Sequence, residues 1–115
     1  MSATILLVDD DPTCLEILKQ LLEEYTIDTA ANGAKALEKL KDKNYDLVIT
    51  DLMMPEMDGL QVIAGCQPGK VALCTGKAQL PDGLEGVPVI RKPFNYDQIL
   101  DKVKELLHAQ QDLAV

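Results

Sequence analysis

The 115-residue sequence predicts an α/β fold: a doubly wound parallel sheet of five strands with helices on both faces. Two observations predict it. Short apolar runs of strand length alternate with stretches whose apolar residues recur at helical spacing, the pattern of strand–helix–strand units. Three of the runs, Ile5-Leu6-Leu7-Val8, Leu47-Val48-Ile49 and Val71-Ala72-Leu73-Cys74, are apolar without alternation. Strands buried on both faces read that way.

Each element has its own signal. The first strand is Thr4–Val8. Asp11 is a good N-cap and Pro12 suits the first helical position, so a helix starts there. Leu15, Leu18, Leu21, Leu22 and Tyr25 mark its core face. The second strand is Thr26–Ala30, and Asn32-Gly33 breaks the chain before a helix facing inward with Ala36, Leu37 and Leu40. The third strand is Leu47–Thr50. The third helix, around Leu60–Ala64, is squeezed, because Gly65, Pro68 and Gly69 end it. Strands four and five are Lys70–Cys74 and Val87–Ile90. The last helix follows Asn95 with a stripe of Ile99, Leu100, Val103, Leu106 and Leu107, and Gln110–Val115 is expected to fray.

Composition bounds the function. One domain over residues 1–115 is expected, with 47% hydrophobic residues for a core and 26% charged residues. The formal net charge of −8 argues against a direct grip on nucleic acid or an anionic membrane, which both need a basic surface. The first apolar run is far too short for a signal peptide or a membrane helix. Cys14, Cys66 and Cys74 are widely spaced and odd in number, with no CxxC pair, and His108 is the single histidine. That spacing argues against zinc ligation, and reduced thiols in a cytoplasmic protein are expected.

The chemistry lies just past the strands. Strand one ends in Asp9-Asp10-Asp11, strand three in Asp51, strand four in Thr75-Gly76 and strand five in Lys92-Pro93. In a parallel sheet all four reach one edge, where such folds hold their sites. Carboxylates gathered there repel one another and recruit a cation, and hard oxygen ligands suit Mg²⁺. A carboxylate is also a phosphoryl acceptor. A lysine ammonium and a threonine hydroxyl complete a cradle for phosphoryl oxygens. Asp11 reads as a cap, and the mixed charges of Glu38, Lys39, Lys41, Asp42 and Lys43 as a solvated helix face.

These residues resemble a known family. Ile5 to Pro12, Asp46 to Gly59 (with Asp51-Leu52-Met53-Met54-Pro55 inside it), Thr75-Gly76 and Arg91-Lys92-Pro93-Phe94 are similar to the receiver domain of two-component response regulators. The resemblance covers nearly the whole chain. It implies a flavodoxin-like sheet of order 2-1-3-4-5. It implies that Asp51 accepts a phosphoryl group from a histidine kinase or a histidine phosphotransfer protein. Asp10 and Asp51 would bind Mg²⁺ directly, Asp9 would help through water, and the Met53 backbone carbonyl would be a further ligand. Thr75 would bond a phosphoryl oxygen, and Lys92 would pair with Asp51 and then with the phosphoryl group. The Lys92–Pro93 bond is cis in that family. The implied function is a stand-alone response regulator that signals by protein–protein contact to a downstream protein. It would be no enzyme beyond its own phosphoryl transfer and dephosphorylation.

Two other classes compete. A phosphatase with an aspartyl nucleophile would want a second acid two positions on, where this chain has Met53. A degenerate receiver, used only to bind, would lack phosphorylation residues that are all present here. The chain also departs from the family. Val89 stands where receivers usually carry an aromatic, and Gly76 to Gly86 holds three glycines and a proline. Those eleven residues span about 36 Å when extended, enough to return along a five-residue strand of about 17 Å without a helix. The fourth helix is therefore expected to be short or missing, with an altered output surface. A thinner cover over one sheet face also suggests an apolar area for a partner or a second copy to hide, so a homodimer is among the expectations.

Overall fold

The computed structural model describes residues 3–51, 59–66, 70–76, 86–92 and 95–113. In chain order the elements are β1 (Thr4–Val8), α1 (Pro12–Leu21), β2 (Thr26–Ala30), α2 (Gly33–Asp42), β3 (Leu47–Thr50), α3 (Gly59–Ala64), β4 (Val71–Thr75), β5 (Val89–Arg91) and α4 (Tyr96–Leu113). The strands form one five-stranded sheet in the order β2-β1-β3-β4-β5, every pair parallel. This is the flavodoxin-like arrangement.

Local chemistry sets the ends of the elements. The Asp11 carboxylate accepts a hydrogen bond from the Thr13 N–H at 2.9 Å, with Pro12 at the start of α1. The Asn32 side chain accepts from the Lys35 N–H at 2.8 Å and caps α2. At α4 the bonds are reciprocal. Asn95 Oδ1 accepts from the Gln98 N–H at 2.8 Å, while Gln98 Oε1 accepts from the Asn95 N–H at 3.2 Å. The third helix is as short as its glycines dictate, six residues.

Three boundaries differ from the sequence reading. β5 begins at Val89, after Pro88, because proline has no N–H for the ladder; its carbonyl still accepts from the Leu73 N–H at 2.8 Å. β4 runs Val71–Thr75, one residue later, with Lys70 lending only its carbonyl to the Val48 N–H. Helix α4 continues to Leu113 instead of fraying from Gln110, since no glycine or proline interrupts it.

The sheet separates two apolar layers. Ile5, Leu7, Leu47, Ile49, Ala72, Cys74 and Ile90 pack beneath Leu18 and Leu22 on the α1 side and Ile99, Leu100 and Val103 of α4. On the opposite face Leu6, Val8, Ala30, Val48 and Val71 pack against Ala36 of α2 and Val62 of α3. Among the described residues no helix stands between β4 and β5. The fourth helix is expected to be short or missing between Gly76 and Gly86, and residues 77–85 of that stretch lie outside the described residues. No helix of the described residues is long and apolar enough to cross a membrane.

Candidate functional site

Side chains alternate along a strand, and that period carries the site residues to one face. Ile5 and Leu7 of β1, Leu47 and Ile49 of β3 and Ile90 of β5 face α1 and α4. Two positions further on, the same face receives Asp9, Asp51 and Lys92. Residues far apart in sequence therefore meet at the carboxyl edge between β1, β3 and β5.

Carboxylate oxygens of Asp9, Asp10 and Asp51 all lie within 4.8 Å of one another. Asp9 is buried, Asp51 is half-buried and Asp10 is exposed, so the group opens to solvent through Asp10. Three hard oxygen donors with an open side form a group able to hold a metal ion. The backbone fixes this geometry. The Asp51 N–H donates to the Val8 carbonyl at 2.9 Å, and the Asp9 N–H donates to the Ala30 carbonyl at 3.2 Å. Asp11 stands outside the group as a helix cap, as its position suggested.

Lys92 reaches Asp51, as the resemblance implies, and a second carboxylate besides. Its ammonium donates to Asp9 Oδ2 at 3.0 Å and lies 3.7 Å from Asp51 Oδ2, so the closer partner is Asp9 and not Asp51. Asp9 is thus tied directly to Lys92. Its other oxygen accepts from the Asp11 N–H at 2.9 Å. The physical reason is burial: Asp9 is 3% exposed, and a desolvated carboxylate must be paired. Burial of Lys92 works to lower its pKa. Its hydrogen bond to Asp9 and the charges of Asp9 and Asp51 override this and hold the ammonium above the ordinary lysine value.

Thr75 is 2% exposed at the end of β4, where its carbonyl accepts from the Lys92 N–H at 2.9 Å. Backbone pairing thus brings the Thr75 and Lys92 positions together. Two thiols border the site unannounced by the motifs. Cys14 is pushed up to about 11 by burial and by its neighbour Asp9. Cys74 is pushed up to about 12 chiefly by burial, with Lys92 opposing. Thr50 was also missed. Its hydroxyl donates to the Asp51 carbonyl at 3.0 Å. The signal for it was the one polar residue in the run Leu47-Val48-Ile49-Thr50. The Met53 carbonyl and the Lys92–Pro93 bond involve residues outside the described set.

Comparison with known proteins places the fold in a family. The family model for the response regulator receiver domain matches residues 5–104. The transcriptional regulatory protein SrrA of Staphylococcus aureus is 35% identical over 125 aligned positions, taking in 100% of this chain and 52% of SrrA. The chain spans about half the length of the curated relatives it matches. Because 125 positions face 115 residues, at least ten positions of SrrA meet a gap. A response regulator receiver domain protein from Methanospirillum hungatei JF-1 superposes with a TM-score of 0.89 at 31% identity, covering 97% of this chain and 98% of that one. The response regulator protein TrrA of Thermotoga maritima, solved in complex with Mg(2+)-BeF, superposes with a TM-score of 0.81 at 39% identity, covering 92% and 99%.

Proposed function

The chain belongs to the family of response regulator receiver domains, and from that premise we propose that it is a phosphoacceptor in a two-component phosphorelay. Asp51 takes the phosphoryl group from a phosphohistidine on a histidine kinase or a phosphotransfer protein. A carboxylate oxygen of Asp51 bonds to phosphorus, the phosphorus–nitrogen bond breaks, and the imidazole nitrogen keeps the electron pair. One observation carries the reading: the carboxylates of Asp9, Asp10 and Asp51 lie within 4.8 Å of one another with the Lys92 ammonium beside them.

Asp10 and Asp51, with Asp9 and the Met53 carbonyl, would hold Mg²⁺. The bound cation would offset the negative charge gathered on the carboxylates and the transferring group. The Mg(2+)-BeF complex of TrrA supports such an occupant here. Lys92 lies 3.7 Å from Asp51 and exchanges Asp9 for a phosphoryl oxygen once the transfer is made. The Thr75 hydroxyl donates to another phosphoryl oxygen. The added charge shifts the balance between two conformations, and a downstream protein reads the change at the surface. The chain processes only its own phosphoryl group. Its three free cysteines favour a reducing, cytoplasmic setting.

Acetyl phosphate with Mg²⁺ supplies the test. Intact-mass measurement should find one added phosphoryl group on the wild type, and none after Asp51→Asn or with the cation chelated. A wild type that stays unmodified, or an Asp51→Asn chain modified equally, overturns the reading.

A further inference from the structure

Among the described residues the buried polar side chains are Asp9, Thr50 and Thr75, all at the carboxyl edge of the sheet. Asp9 and Thr75 have roles in the proposed phosphoryl transfer, on which this inference rests. Thr50 has none so far. We propose that Thr50 is a positioning residue for Asp51: its hydroxyl fixes the peptide plane that follows the phosphoacceptor and so aims the Asp51 carboxylate.

Three observations carry this. Thr50 is 0% exposed and ends an otherwise apolar strand, where an unbonded hydroxyl would be costly. Its Oγ1 lies 3.0 Å from the carbonyl oxygen of Asp51 and donates to it. That bond forms where the regular ladder stops. Among the described residues the Asp51 N–H makes the final backbone hydrogen bond from the β3 end to β1, to the Val8 carbonyl at 2.9 Å. Beyond Val8 the first strand ends: the Asp9 N–H continues the alternation by bonding Ala30 on β2, and Asp11 already caps α1. Val8 therefore holds the peptide plane before Asp51, and the Thr50 hydroxyl holds the plane after it. With both planes held, the Cα–Cβ direction of Asp51 is held too. The β-branched threonine has a stiff first torsion, so the hydroxyl is aimed at little further entropic expense. Valine at this position keeps the shape and the branching and removes only the donor.

The test compares the wild type with Thr50→Val and Thr50→Ser in two readouts. The first is Mg²⁺ affinity of the unphosphorylated chain, followed by amide chemical shifts. The second is the rate of labelling by acetyl phosphate at saturating Mg²⁺, with thermal unfolding confirming that each variant is folded. We expect Thr50→Val to bind Mg²⁺ at least about threefold more weakly and to be labelled about fivefold more slowly. Thr50→Ser should recover both to within about twofold, since it restores the donor. A folded Thr50→Val chain matching the wild type in both readouts overturns the proposal, as does a Thr50→Ser chain as impaired as Thr50→Val. If the wild type binds Mg²⁺ but takes no phosphoryl group, the functional reading falls, and the Mg²⁺ affinities alone decide for or against Thr50. If it binds no Mg²⁺ either, both fall.

Discussion

Lys92 has two carboxylates within reach, and burial decides between them. The Asp9 side chain is 5% exposed and the Asp51 side chain 18%. Water can serve Asp51 in part, whereas Asp9 depends on protein donors, so the ammonium settles on Asp9. Nothing in the spacing of Asp9, Asp51 and Lys92 encodes that difference. The residue types and their common edge are legible in the sequence, because each follows an unmistakable apolar strand. The choice of partner is not, because it depends on how deeply each strand end is covered. The same holds for the thiols. Cys14, Cys66 and Cys74 sit at about 11, about 11 and about 12, each raised first by burial. The nucleophile is the thiolate, so at neutral pH the native thiols should react with a disulfide reagent far more slowly than those of the denatured chain. Timed colorimetric labelling with and without denaturant checks this. Equal rates would show that burial does not protect them.

Elements are legible where one strong signal sets each end. Strands β1, β2 and β3 match their expected limits, and α1 and α2 start at their capping residues. Strand β5 shows the limit of such reading: its apolar residues begin at Val87, but the hydrogen-bonding capacity of Pro88 sets the start of the ladder. Contacts between elements are less legible still. Asp28 of β2 accepts from Tyr45 Oη at 2.7 Å and from Lys43 Nζ at 2.9 Å, tying that edge strand to the residues before β3. Lys43 first, then Tyr45, holds Asp28 below its ordinary pKa. Burial first, then Asp28, pushes Tyr45 up from 10.0 to about 12. A raised pKa means that the native state holds the phenol proton more tightly than the unfolded chain. That stability is fully present below pH 10.0 and is lost as pH rises through about 12. Denaturant unfolding between these limits should show Tyr45→Phe losing less stability with pH than the wild type. Parallel losses in the two proteins would rule out this source.

At the scale of the whole molecule, a net charge of −8 is partly concentrated where Asp9, Asp10 and Asp51 meet. A cation that binds there in the native state alone stabilises the fold by mass action, by about 2.7 kcal/mol at a hundredfold excess over its Kd. Calorimetric scans should therefore show Tm rising with Mg²⁺ concentration, with a smaller rise for Asp10→Asn and no rise for an equal ionic strength of a sodium salt. A rise unchanged by Asp10→Asn would mean that the ion acts elsewhere. The Lys92–Asp9 contact adds a different consequence, because it joins residues 83 positions apart. Closing so long a loop carries an entropic toll that local helices escape, so this contact belongs late in assembly. A nascent or partly unfolded chain can hold β1 and β2 together and still lack the lysine beside its acids. The acidic group and its lysine therefore meet only when the first and fifth strands share one sheet, so completing the sheet also completes the pairing of the buried Asp9.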